Sequence, residues 1–256
     1  MIKPFRFAVL AGIFISALSF AHEGMWTYDN PPAAQLKQRY GFTPTPEWLE
    51  HLRLSSVRYG SGGSGSFVSP NGLSMTNHHV ALGCIQKIST ESNDYVKNGF
   101  SARSQAEEKA CPDLELNVLT SFEDVTKRVV GAVASGASDK DAREARKGAI
   151  AQIEKQCVDS TKSRCDVVPL YQDSEYWLYR YKKYTDVRLV FAPEQDIAFF
   201  GGDPDNFVFP RYDLDVSFFR AYENGKPAQT PRYLKWSSNG AQENDLAFVS
   251  GHPGGT

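Results

Sequence analysis

The 256-residue sequence is sparing with the features that mark several large function classes. Twenty-eight Lys and Arg stand against 30 Asp and Glu, giving a net charge of −2, so neither sign of charge dominates. Without a basic stripe or an acidic tail, nothing in the charge pattern points to nucleic acid or to an anionic membrane surface as a partner. Only four cysteines occur, none in a Cys-x-x-Cys pair, so the spacing of a zinc site is missing and neither a metal nor another cofactor is expected. No internal repeat is present, and the only low-complexity stretch is the short run "GSGGSG". What remains, 41% apolar and 12% aromatic residues, suffices for one large or two small cores.

The N-terminus is distinctive. Lys3 and Arg6 precede the apolar run Phe7 to Phe20, followed by the small-residue pattern Ser19-Phe20-Ala21. This is the pattern of a secretory signal over residues 1–21, cleaved before His22. A membrane anchor would need about 20 apolar residues, more than this run supplies, so no stable membrane span is expected. Export agrees with Cys84, Cys111, Cys157 and Cys165 forming disulfides, for which three connectivities exist. Cys157 and Cys165 enclose the polar stretch "VDSTKSR", read as a loop short enough to be stapled locally, which leaves Cys84 to pair with Cys111. Four free buried thiols are the alternative.

Along the mature chain, "PAAQLKQRYGF" and "TPEWLEHLRLSS" read as two short helices. The second has Thr45 as its N-cap and Pro46 at the first helical position. Pro70-Asn71-Gly72 marks a turn between short alternating runs, so the stretch up to the histidines reads as a β-hairpin. Leu114, Leu116 and Val118 alternate as a strand. The stretch from Ser138 to Cys157 reads as a helix with an apolar stripe at Ala142, Ala145, Ala149, Ile153 and Cys157. From Tyr176 to Tyr222 the chain is rich in Tyr, Phe and Val and predicts several strands, and "DLAFVSG" predicts one more.

Two of the five histidines, His78 and His79, are adjacent in "GLSMTNHHVALGC". On an extended strand they would face opposite ways, so only one could serve a given site. A histidine at a strand end offers what a general base needs: a rigid platform and an exposed imidazole. "TNHHV" resembles the segment around the general-base histidine of chymotrypsin-like serine peptidases, which singles out His79. "YDLDVSFFRAY" is similar to the strand carrying their aspartate, here Asp215. Asp213 competes, since residues two apart share a strand face, but the apolar strand begins directly after Asp215.

With "EGMWTYDNPP", "HLRLSSVRYGSGGSGSFVSPNGLSMTNHH", "GGDPDNFVFPRYDLDVSFFRAY" and "VSGHPGGT" added, the chain from about Glu23 to Thr256 resembles the N-terminal part of the S46 serine peptidases, the bacterial dipeptidyl-peptidase 7 and 11 group. The resemblance implies a mostly β, chymotrypsin-like double β-barrel with helical insertions and removal of dipeptides from free peptide N-termini. It implies His79 as general base and Asp215 as the residue that orients it. It also implies that Asn206 meets the substrate's α-ammonium, which needs acceptors. Phe207, in place of the usual Trp, would pack against the first substrate residue. Asp203 and Asp205 are expected to shape that loop.

The nucleophile loop of such enzymes has no counterpart in these residues. Ser64 and Ser66 precede the histidine in what reads as a glycine-rich turn at the barrel edge. Residues 22–256 are therefore expected to be the front part of a catalytic domain, truncated before the second barrel is complete and inactive alone. The expected partners are peptides with a free N-terminus, and a homodimer of the full-length protein is compatible with the resemblance. The expected location is the periplasm, with the outer membrane or cell surface as variants. Two other functions fit some residues: a non-catalytic binder of peptide N-termini through Asn206, and a copper enzyme chelating through a mature N-terminal His22.

Overall fold

A computed structural model describes residues 24–60, 62–205, 208 and 210–252, with only the backbone of Asp203 and Asp205. Two short helices come first, α1 (Ala33–Tyr40) and α2 (Pro46–Ser55). Thr45 caps α2 by accepting the Trp48 N–H at 3.2 Å, and Pro46 fills its first position, where a missing N–H does no harm. The chain then forms β1 (Ser56–Tyr59), β2 (Ser64–Phe67) and β3 (Leu73–Thr76), followed by α3 (His78–Ile88) and α4 (Tyr95–Asn98). The short β4 (Phe100–Ser101) and β5 (Lys109–Ala110) precede the long β6 (Leu116–Asp124). Next come α5 (Thr126–Val130), α6 (Asp139–Thr161), and the strands β7 (Arg164–Leu170), β8 (Glu175–Tyr184) and β9 (Asp186–Ala192). The one-turn helices α7 (Gln195–Ala198) and α8 (Gly202–Asp205) lead to β10 (Ser217–Glu223) and β11 (Lys226–Pro227).

These strands form one antiparallel sheet in the order β4-β9-β10-β3-β2-β1-β6-β8-β7, with β5 on β9 and β11 on β10. The β2–β3 hairpin turns where Pro70-Asn71-Gly72 predicts it, and Gly72 needs its φ of +79° there. Gly65 on β2 is required for space: a Cβ would run into the Met75 carbonyl and lie 2.5 Å from the Tyr59 ring.

The main core lies where α3 packs on the sheet, with Ala81, Cys84 and Ile85 buried against Val57, Phe67, Leu116, Leu189 and Phe219. A second cluster lies under α5 and α6, where Val129, Ile153 and Cys157 cover Val167, Tyr176 and Leu178. Ser138 caps α6 by accepting the Asp141 N–H, as its sequence predicts. Both disulfides join the pairs that spacing suggests, with Cα–Cα distances of 5.3 Å for Cys84–Cys111 and 6.1 Å for Cys157–Cys165.

Three local expectations are corrected. "VDSTKSR" is not a loop: α6 continues to Thr161, with the Ser160 and Thr161 hydroxyls turned back onto the Cys157 carbonyl, and it stops at Lys162, which has φ +58°. "DLAFVSG" forms no strand. Side chains rather than a backbone ladder hold its end: Ser250 Oγ meets Ser56 Oγ at 2.9 Å, and the His252 N–H donates to Ser64 Oγ at 2.7 Å. Ser64 and Ser66 belong to β2 rather than to a loose turn, since both residues pair in the ladder.

Candidate active site

The register of β3 against β10 builds the site. Ser217 pairs with Thr76, so the residues just before β10 lie beside those just after β3. Asp215 thereby reaches Asn77 and His79, more than 130 positions away in sequence.

His78 and His79 are not strand residues. The strand ends at Thr76 and α3 opens at His78, so the histidines diverge because successive helical side chains are about 100° apart, not because a strand alternates. The signal was present in the sequence: Ala81, Cys84, Ile85 and Ile88 follow the i, i+3, i+4, i+7 pattern of a helix face.

His79 Nδ1 lies 2.7 Å from Asp215 Oδ2, and the His79 backbone N–H donates to Asp215 Oδ1 at 3.1 Å. Asp215 is thus both the imidazole's partner and the cap of α3, where a carboxylate satisfies an orphan N–H and meets the positive end of the helix dipole. Asn77 Nδ2 adds bonds to Asp215 Oδ2 and to its carbonyl oxygen, each 3.2 Å. With an ionised carboxylate accepting at Nδ1, that nitrogen carries the proton and Nε2 presents its lone pair. The His79 side chain is 68% exposed whereas that of Asp215 is 13% exposed, so the pair has a fixed inner half and an open outer half. Among the described residues nothing bonds to Nε2.

The neighbours divide clearly. His78 is buried, burial pushes its pKa below the ordinary value, and a backbone hydrogen bond with Pro193 holds it. Its Nε2 has no partner among the described residues. Asp213 is paired with Arg211, and among the described residues the carboxylate bonded to His79 is that of Asp215. Asn206 and Phe207 lie outside the described residues. Ser64 has its oxygen engaged by the His252 N–H. The Cys84–Cys111 bridge ties α3 to the sheet, because the Cys111 N–H donates to the Val187 carbonyl on β9 at 2.9 Å.

Asn77 is the residue that sequence reasoning passed over at this site. Its position directly before a helical apolar pattern marks it as an N-cap, although nothing local shows that its side chain turns to Asp215. Among the described residues no group of three His, Cys, Asp or Glu side chains could hold a metal ion. No described helix is long and apolar enough to cross a membrane. A cavity of about 270 Å³ lined by Thr27, Asp29, Asn30, Leu170, Tyr171, Glu175 and Trp177 shares no residue with the His79–Asp215 site. The arrangement can take a proton at Nε2 and stabilise the resulting imidazolium through Asp215.

Comparison with known proteins places the chain in a family. The family model of Peptidase S46 matches residues 21–256. Dipeptidyl-peptidase 7 of Capnocytophaga gingivalis is 32% identical over 254 residues, covering 92% of this chain and 36% of the relative. An Asp/Glu-specific dipeptidyl-peptidase of Shewanella putrefaciens is 33% identical over 268 residues, covering 98% of this chain and 36% of the relative. Among solved structures, Porphyromonas endodontalis DPP11 in complex with the dipeptide Arg-Asp superposes with a TM-score of 0.66 at 30% identity, over 74% of this chain and 30% of that one. The chain therefore spans about a third of the length of the relatives it matches.

Proposed function

The chain belongs to the S46 peptidase family, and from that premise we propose that it supplies the general-base part of a serine-type dipeptidyl-peptidase. The observation that carries the reading is the 2.7 Å contact between a partly buried carboxylate and an exposed imidazole whose Nε2 is open. In this reading His79 Nε2 removes the proton of a serine hydroxyl as the oxygen attacks the peptide carbonyl, then returns it to the leaving amine. Asp215 keeps the proton on Nδ1 and stabilises the imidazolium. His78, buried and kept neutral, supports α3 and takes no part in proton transfer.

The nucleophilic serine, the second barrel of a chymotrypsin-like fold and the rest of the substrate pocket belong, in this proposal, to sequence outside these 256 residues. Residues 1–21 act as an export signal to the periplasm. Asn206 and Phe207 meet the amine and first side chain of a peptide with a free N-terminus. Relatives named Dipeptidyl-peptidase 7 and relatives named Asp/Glu-specific match at the same level of identity, so the proposal is dipeptide release without a stated preference at the cleaved bond.

The test has two arms. The 256-residue chain should neither release dipeptides nor react with a fluorophosphonate probe, and labelling at Ser64 or Ser66 would overturn the reading. Extended with the remaining two-thirds of a DPP11-type chain, it should release dipeptides from free but not acetylated peptides. His79→Ala should abolish that release, and equal cleavage of both substrates would sink the exopeptidase assignment.

A further inference from the structure

We propose that Asn77 is a positioning residue that fixes the Asp215 carboxylate for His79. The inference rests on the general-base reading above and adds a residue to it. Asn at an N-cap ordinarily turns its side-chain oxygen onto the N–H of the second or third helical residue. Asn77 has the extended backbone of an N-cap, φ −74° and ψ 153°, yet its side chain makes no such bond. One of the two N–H groups it could serve, that of His79, is taken by Asp215 Oδ1. A residue distant in sequence caps the helix, and the local cap residue is released.

The released amide turns to the residue that displaced it. Both atoms it meets, the main-chain oxygen and Oδ2 of Asp215, are acceptors, so the NH₂ and not the carbonyl end must face them. One amide thereby spans the backbone and the side chain of the same aspartate. The terminal torsion of an aspartate is broad and roughly two-fold, so a carboxylate held only by its partners on α3 can rotate about its own axis. The Asn77 bridge restricts that rotation against Asp215's own backbone, and leaves Oδ2 accepting from Asn77 Nδ2 and His79 Nδ1 together. A neutral amide does this without competing for the negative charge that stabilises an imidazolium. A carboxylate at position 77 would place two like charges side by side.

A purely structural Asn77 predicts loss of helix stability on truncation, whereas this assignment predicts unchanged stability and a loosened imidazole. The experiment uses the full 256-residue chain with ¹⁵N-labelled histidine. Nitrogen chemical shifts report the tautomer of His79, exchange of its Nδ1 proton with water reports how firmly it is held, and urea unfolding reports stability. Wild type should hold the Nδ1–H form. Asn77→Ala should keep its unfolding midpoint while the Nδ1 proton exchanges about tenfold faster, the scale of one hydrogen bond. Asn77→Ser, which can cap α3 itself and so keeps the fold if the alanine variant does not, should show the same acceleration. Asp215→Asn serves as the reference, with the Nδ1–H preference lost. If that variant leaves the tautomer untouched, the His79–Asp215 pairing fails and takes this inference with it. If Asp215→Asn alters the tautomer while both Asn77 variants exchange like wild type, the role of Asn77 alone is overturned.

Discussion

His252 gives the most direct test of the structure through acid. Its imidazole packs edge-on to Tyr181 at 6.1 Å between ring centres, and its Nε2 finds no partner among the described residues. Burial, with a smaller contribution from the nearby Arg58 charge, lowers its pKa from 6.5 to about 4. A base whose folded pKa lies below its unfolded value contributes stability that is complete above the unfolded pKa and drains away as pH falls toward the folded one. Here that window runs from about pH 6.5 down to about pH 4. The full shift corresponds to about 3 kcal/mol, of which about 2 kcal/mol is lost between roughly pH 7.5 and pH 5. His78 is shifted in the same direction, so wild type alone cannot separate the two. His252→Phe keeps a ring against Tyr181 and leaves the backbone bond to Ser64 in place, but it cannot take up a proton. Urea unfolding followed by tryptophan fluorescence should therefore show wild type losing about 2 kcal/mol more than the variant across that interval. At pH 7.5 the two should be nearly equal, because the variant also removes an unpartnered buried nitrogen. Parallel pH profiles for the two proteins would refute the placement of His252 in a dry, cationic corner.

Other consequences are equally concrete. Gly65→Ala should cost about 1 to 3 kcal/mol in urea unfolding, since its Cβ would press on the Met75 carbonyl, which belongs to the neighbouring strand and cannot swing aside. Replacing both cysteines of a bridge by alanine should cost about 3.6 kcal/mol for Cys84–Cys111 and about 2.5 for Cys157–Cys165 on chain-entropy grounds, from separations of 27 and 8 residues. Equal losses for the two bridges would contradict that ordering. Glu108→Ala should cost about 3 to 5 kcal/mol by leaving Arg220 without its buried partner at 2.9 Å and Tyr222 without its acceptor at 2.7 Å. A Glu108→Gln variant that unfolds at the wild-type midpoint would show that hydrogen bonding alone, without charge, suffices there.

Much of the fold was legible because its signals are local. Thr45-Pro46, Ser138 and Pro70-Asn71-Gly72 each satisfy or redirect backbone groups within a few residues, and the elements they predict are where they should be. The misreadings came from the same rule applied too far. "DLAFVSG" has a strand's composition, yet a strand exists only where a neighbouring edge offers a ladder, and here Ser56 and Ser64 offer hydroxyls instead. The hairpin signal before the histidines carries the strand reading onto them as well. A helix begins as soon as Thr76 is passed, and the free N–H of its second residue is met by a residue from another part of the chain.

By itself the sequence determined the candidates: two adjacent histidines, two aspartates two apart, four cysteines, and the short segments in which they stand. It did so because side-chain chemistry and the turns beside it are properties of neighbouring residues. Only the tertiary structure decided which of them act together. The pairing of Ser217 with Thr76 sets β10 against β3 and so delivers Asp215 rather than Asp213 to His79. The same register turns Asp213 toward Arg211, buries His78, and gives Asn77 a carboxylate to hold in place of its own helix. No local pattern encodes these choices, since each depends on two strands meeting in one register across more than a hundred residues of intervening chain.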